Sequence, residues 1–185
     1  MFRFFRKACA ILRAAWLSFW LKIFNGKSVY IGSRFSVFKS ASIRLADKGN
    51  LSIGNRVHIG ENALVSSLKN GVLTFGNGVS IGANNFIICH DEISIGDNTI
   101  LAPNVLIYDH DHIFSSESGV DKRNFKTSPV SIGKNCWIGA NVVILRGTVI
   151  EDNCVIGAGS VLKGHYPKGS LIIQKRETEI KKIID

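Results

Sequence analysis

From Val130 to His165 the chain divides without a gap into six hexapeptides: VSIGKN, CWIGAN, VVILRG, TVIEDN, CVIGAG and SVLKGH. Their third position holds Ile132, Ile138, Ile144, Ile150, Ile156 and Leu162, and their first only small or β-branched residues, Val130, Cys136, Val142, Thr148, Cys154 and Ser160. The same phase appears upstream in LSIGNR, VHIGEN, VSIGAN and TILAPN. A period of six with one long aliphatic per repeat is neither the helical period nor the simple alternation of a strand. It suits a short strand followed by a corner, three strands making one triangular coil. Each long aliphatic then points inward and stacks on its counterparts above and below, while the small residue fits the crowded inside of a corner. Gly133, Asn135, Gly139, Asn141, Asn153 and Gly157 fall at the corners, where Gly and Asn tolerate left-handed backbone angles. Such coils bury their surface only against one another, which predicts an all-β parallel β-helix with capped ends.

The phase breaks in three places. Residues 66–76 and 88–93 read as strand-sized adjustments. The stretch from Asp109 to Pro129, DHDHIFSSESGVDKRNFKTSP, has no periodicity and reads as a protruding loop. A long irregular loop leaving a rigid scaffold is functional or disordered. The organisation expected is an N-terminal helix over 1–27, a β-helix over 28–173 with the loop 109–129, and a tail or short helix over 174–185.

The formal charge of +9 is unevenly placed. Nine basic residues precede the first acid, Asp47: Arg3, Arg6, Lys7, Arg13, Lys22, Lys27, Arg34, Lys39 and Arg44. Beyond residue 44 the charges balance, 14 against 14. A nucleic-acid binder would carry its charge on the folded body, so nucleic acid is not an expected partner. Residues 2–24 lack Gly and Pro and place Phe5, Leu12, Trp16, Phe19 and Ile23 on one helical stripe. Arg13 and Lys22 interrupt any membrane span, and no small-residue cleavage site marks a signal peptide. A helix docked on the body competes with a basic amphipathic helix lying in a membrane interface, and the composition favours the second. The four cysteines show no CxxC spacing. Cys136 and Cys154 occupy apolar repeat positions, so buried free thiols in a reducing, cytoplasmic setting are expected, with peripheral contact to the inner face of the membrane through 2–24.

Of the five histidines, His58 sits at an outward repeat position, His165 near a corner of the last coil, and His90 at the end of a broken coil. Tyr108-Asp109-His110-Asp111-His112 is different, because it gathers acid/base pairs at the mouth of the loop. Histidine titrates near neutrality and can take a proton from a hydroxyl, and a flanking carboxylate can hold its tautomer. The spacing does not separate His110 from His112. In an extended strand they would share a face, so the loop is expected to turn here.

IGDNTILAPNVLIYDHDH (95–112) followed by PVSIGKNCWIGANVVILRGTVIEDNCVIGAGSV (129–161) resembles the hexapeptide-repeat acetyltransferases. The nearest branch is that of the maltose and galactoside O-acetyltransferases and those of capsule, exopolysaccharide and lipopolysaccharide assembly. The resemblance covers 79–162 and implies a left-handed β-helix, a homotrimer and acetyl-CoA as co-substrate, with no metal. It implies His112 as general base, counted from the shared APNV, with Asp109 and His110 as its catalytic neighbours. Asn84 or Asn85, with Tyr108 and Asp111, would meet a sugar acceptor. Trp137 would lie beside the CoA arm, Gly139, Ala140, Ala158 and Gly159 would offer backbone groups to the pantetheine, and Lys163 would face a phosphate. A backbone N–H of the WIGAN coil would stabilise the oxyanion. The Gly-Asn-Pro stretch usual near the adenine is replaced by SLIIQKRETEIKK, and Arg146 stands where Pro is usual.

The expected reaction is transfer of an acetyl group to a sugar hydroxyl of a bacterial surface polysaccharide or its precursor. Transfer to an amino sugar is the nearest alternative. A γ-carbonic-anhydrase-like metal site would need three histidines per zinc at wider spacing, and a non-catalytic β-helix would need neither the DHDH cluster nor Trp137.

Overall fold

The computed structural model describes residues 2–175, 177, 179 and 180, and side chains from residue 5 onward. Helix α1 (Phe2–Asn25) precedes a prism of three parallel sheets. The first face runs from strand Val29–Ile31 to His165–Tyr166, the second from Ser36–Val37 to Leu171–Ile172, and the third from Ser42–Leu45 to Val161–Leu162. Each coil visits the three faces in that order. This is the parallel β-helix that the six-residue period predicts.

The repeat positions do what their chemistry suggests. Ile132, Ile138, Ile144, Ile150, Ile156 and Leu162 are all buried, and the registers stack them, Ile138 between Leu101 and Ile156, Ile144 between Ile107 and Leu162. The small first-position residues are buried too, and Cys89, Cys136 and Cys154 are free thiols inside the core. Corner asparagines adopt positive φ, among them Asn84 (57°), Asn135 (55°) and Asn141 (57°). Their side chains join coil to coil, as in Asn135 Nδ2 to Asn153 Oδ1 at 3.2 Å. Gly139 is needed for a different reason: a Cβ there would lie 2.6 Å from the Ile156 carbonyl oxygen and 2.7 Å from the Ala158 nitrogen.

The phase breaks are longer corners between the third and first faces. Asn55 and Asn77 stack 22 residues apart, Asn77 and Asp97 20 apart, while Lys134 and Asp152 stack at 18. The segment expected to be an irregular loop is instead an antiparallel hairpin of His110–Ser115 and Gly119–Thr127, leaving that same corner. Its short Ser and Gly turn hid an ordinary β-pairing, because charged strands exposed on both sides show no hydrophobic alternation.

Helix α1 docks on the first coil. Ala10 and Ala14 are buried, Ala14 within the continuous core, and Leu17 packs against it. Arg6 pairs with Glu61 on the body. No helix among the described residues is long and apolar enough to cross a membrane. His58, expected on the surface, is half-buried, with Phe38 at 4.6 Å and Ser36 Oγ at 3.0 Å from its Nδ1. Of the tail 174–185, the described residues form neither helix nor strand, and the rest lies outside them.

Candidate active site

The edge between the third and first faces collects titratable groups coil by coil: Lys69, then His90, then Asp109 to His112, then Arg146, then Lys163. Asp109 ends the third-face strand Leu106–Tyr108 and is fully buried. Its carboxylate accepts from the backbone N–H of His90 (2.9 Å) and Asp91 (2.7 Å), and lies 3.0 Å from His110 Nδ1. Burial pushes its acidity toward the protonated form, but the bonds from His110 and the two backbone amides outweigh that and hold it below the usual carboxylate value. An ionised Asp109 can only accept, so the His110 Nδ1 carries the proton and Nε2 the lone pair.

His112 is held in the same tautomer by another route. Its Nδ1 lies 3.0 Å from the carbonyl oxygen of Asp121 on the returning strand. A carbonyl only accepts, so Nδ1–H donates and Nε2 is free to take a proton. Asp121 is itself fixed by the Arg123 N–H and the Asn124 amide. The chain does not turn between the two histidines, contrary to expectation. They share one face of the strand, paired opposite Thr127 and Phe125, and a register shift follows only between His112 and Phe114.

Phe125 is the residue the sequence did not single out. Its ring lies 5.2 Å from His110, 4.6 Å from His112 and 4.6 Å from His90. Lys69 Nζ sits 4.3 Å over the same ring and donates to the Arg123 carbonyl. Its one signal was being the lone aromatic on the second half of the loop. His90 stacks on His110, with its Nδ1 buried and without a partner. Burial, then the neighbouring His110, lowers its pKa to about 4.

Tyr108 meets His110 edge to face at 5.9 Å. Asp111 pairs with Arg146, which ties the hairpin root to the next coil, so Arg146 has a task here where proline is usual. Among the described residues no three His, Cys, Asp or Glu side chains are grouped to hold a metal ion.

The remaining expected residues lie on other parts of the prism. Trp137 stands on the second face, 56% exposed. Asn84, Gly139, Ala140, Ala158 and Gly159 lie at the edge between the second and third faces, so the third face separates them from the histidines within one chain. Asn84 is exposed and accepts from Asn62. Asn85 is corrected: it is wholly buried, its Oδ1 accepting from the Val105 N–H at 2.7 Å, which removes it from contact with an acceptor. The N–H groups of Gly139 and Gly159 bond the carbonyls of Ile156 and Ala140. The WIGAN amides of Trp137 and Asn141 are used in the same way, by Cys154 and Pro103. Ala140 and Ala158, stacked one coil apart, have N–H groups outside this ladder among the described residues. Lys163 is exposed at the histidine edge.

Residues 129–163 match the family model described as the hexapeptide repeat of succinyl-transferase. WbbJ of Escherichia coli K12, named as a lipopolysaccharide biosynthesis O-acetyl transferase, is 36% identical over 44% of this chain and 46% of its own length. The galactoside O-acetyltransferase of the same organism is 41% identical over 40% of this chain and 36% of its own. The match thus spans less than half of each relative. An N-acyltransferase from Bacillus cereus, solved with dTDP-4-amino-4,6-dideoxyglucose and coenzyme A, superposes with a TM-score of 0.52 at 25% identity over 76% of both chains. On its repeat, its fold and these similarities, the chain is a hexapeptide-repeat protein resembling the acetyltransferases.

Proposed function

We propose that the protein is an acetyl-CoA-dependent O-acetyltransferase acting on a sugar hydroxyl of a bacterial surface polysaccharide or its precursor. The observation that carries this reading is His112: exposed on the hairpin, its Nδ1–H committed to the Asp121 carbonyl and its Nε2 lone pair open. That nitrogen takes the proton of the acceptor hydroxyl as the oxygen attacks the thioester carbonyl. The carbon–sulfur bond then breaks, and CoA leaves as its thiol after taking up a proton. An N–H of Ala140 or Ala158, outside the ladder, meets the oxyanion. Tyr108, Asp111 and Asn84 line the acceptor side, and Trp137 and Lys163 the CoA side.

The same geometry supports a homotrimer as part of this reading. The histidine edge and the Trp137–Ala140–Ala158 surface lie on either side of the third face in one chain. A three-membered ring of heterologous contacts brings one edge of each prism to a different edge of its neighbour, completing the site between chains. The Bacillus cereus structure, with its amino sugar and coenzyme A, favours amino-sugar N-acylation as the second reading. The test is release of CoA thiol from acetyl-CoA over a panel of sugars and amino sugars. Release that requires a hydroxyl acceptor supports the first reading, and release confined to amino sugars the second. Absence of both release and CoA binding contradicts acyl transfer.

A further inference from the structure

Helix α1 is fastened by one narrow side and leaves a broad apolar side open. Ala10, Ala14 and Leu17 meet the body, whereas Leu12 is 72% exposed, Trp16 63%, Phe19 59% and Ile23 55%. At 3.6 residues per turn, Phe5, Leu12, Trp16, Phe19 and Ile23 fall within an arc of about 60°, opposite the docked side. Trp20 extends this surface, stacked on Phe24 at 5.5 Å and edge-on to Phe19 at 5.6 Å. A helix serving only to close the prism would place polar residues there.

The charges fit the same side. Arg13 and Lys22 flank the apolar arc, each about 90° from its centre. Helix α1 contains no acid, and the whole net charge of +9 belongs to the first 44 residues. Arg6 is already paired with Glu61, but Arg13 and Lys22 have no acidic partner among the described residues. Exposed tryptophan and phenylalanine with cations at the rim suit a helix half-sunk in a bilayer, rings among the upper acyl chains and cations at anionic phosphates. The helix is not long and apolar enough to cross.

We propose that the outer face of α1 docks on an anionic phospholipid bilayer, while its inner face holds the β-helix end. The helix is thus both cap and anchor. Cyclic symmetry would set three such helices at the same end of the trimer, so that three weak contacts act together; this clause alone rests on the trimeric reading.

The full chain is sedimented with vesicles of phosphatidylglycerol and phosphatidylcholine, and with phosphatidylcholine alone, without acetyl-CoA. Co-sedimentation with the anionic vesicles, weakened by salt, is expected, together with quenching of tryptophan emission by brominated acyl chains. Phe19→Ser with Ile23→Ser weakens partitioning by roughly a hundredfold. Arg13→Gln with Lys22→Gln weakens it by roughly thirtyfold. Both variants keep the wild-type unfolding midpoint and acetyl-CoA consumption. No binding to anionic vesicles at low salt, or equal binding to neutral ones, overturns the proposal. So does a fall in oligomeric mass in Phe19→Ser/Ile23→Ser, which would assign the face to a second copy. Because the vesicle assay needs no acyl donor, its failure is separate from failure of the acyltransferase reading.

Discussion

The rings of His90 and His110 lie face to face, 3.9 Å between centroids and 10° between planes. Two imidazolium rings at that distance would repel, and burial already disfavours charge on His90, whose pKa falls to about 4. An unfolded chain takes up that proton near pH 6.5, so the folded protein loses stability as pH drops from about 6.5 toward 4. In His90→Leu this contribution is absent, and urea midpoints across the window should fall less steeply than in the wild type. Parallel slopes would show that His90 titrates normally.

Asp109 costs stability in the same direction, at lower pH. Its carboxyl is held below its ordinary value despite burial, so its stabilisation is fully present above about pH 4 and fades as pH falls through the lowered folded value. Asp109→Asn puts an N–H donor where only acceptors fit and should cost about 2 kcal/mol at pH 7. Chemical denaturation at pH 7 measures this, and a variant as stable as the wild type would mean the three donors find other partners.

The Arg146–Asp111 pair fastens the hairpin root from the next coil. Arg146→Met should leave the global unfolding midpoint within about 1 kcal/mol, since the pair is partly exposed. It should speed tryptic cutting at Lys122 and Arg123 severalfold. Unchanged cleavage would assign the fastening to Lys69 and Phe125 instead.

Most of the fold was legible because a strict repeat admits few solutions. Ile132 to Leu162 and their small first-position partners are buried where the period put them. The hairpin was missed because its strands expose charge on both sides. His58 and Asn85 were misplaced because a six-residue phase tells inward from outward but not which side chains of the neighbouring coil pack on an outward ring or which polar side chain a corner swallows. In the site, the DHDH cluster stood out by chemistry alone. His90 joins it through stacking of neighbouring coils, and Phe125 and Lys69 through the hairpin pairing, relations that local spacing does not carry.

If each site is shared between chains, two defective variants should repair each other. Randomly co-assembled His112→Ala and Trp137→Ala chains place an intact histidine beside an intact tryptophan at roughly a quarter of the interfaces of a ring. Activity near that fraction of wild type is expected from the mixture, and background activity would place both residues of a site in one chain.

If His112 removes the acceptor proton, its loss must slow turnover while CoA still binds. Steady-state acetyl transfer with a saturating sugar acceptor, wild type beside His112→Ala and His110→Ala, tests it most directly. In His112→Ala, kcat is expected to fall by about 10²–10⁴-fold with CoA affinity unchanged. A His112→Ala enzyme that keeps its rate, beside a dead His110→Ala, would contradict it and move the base to the ring that Asp109 holds.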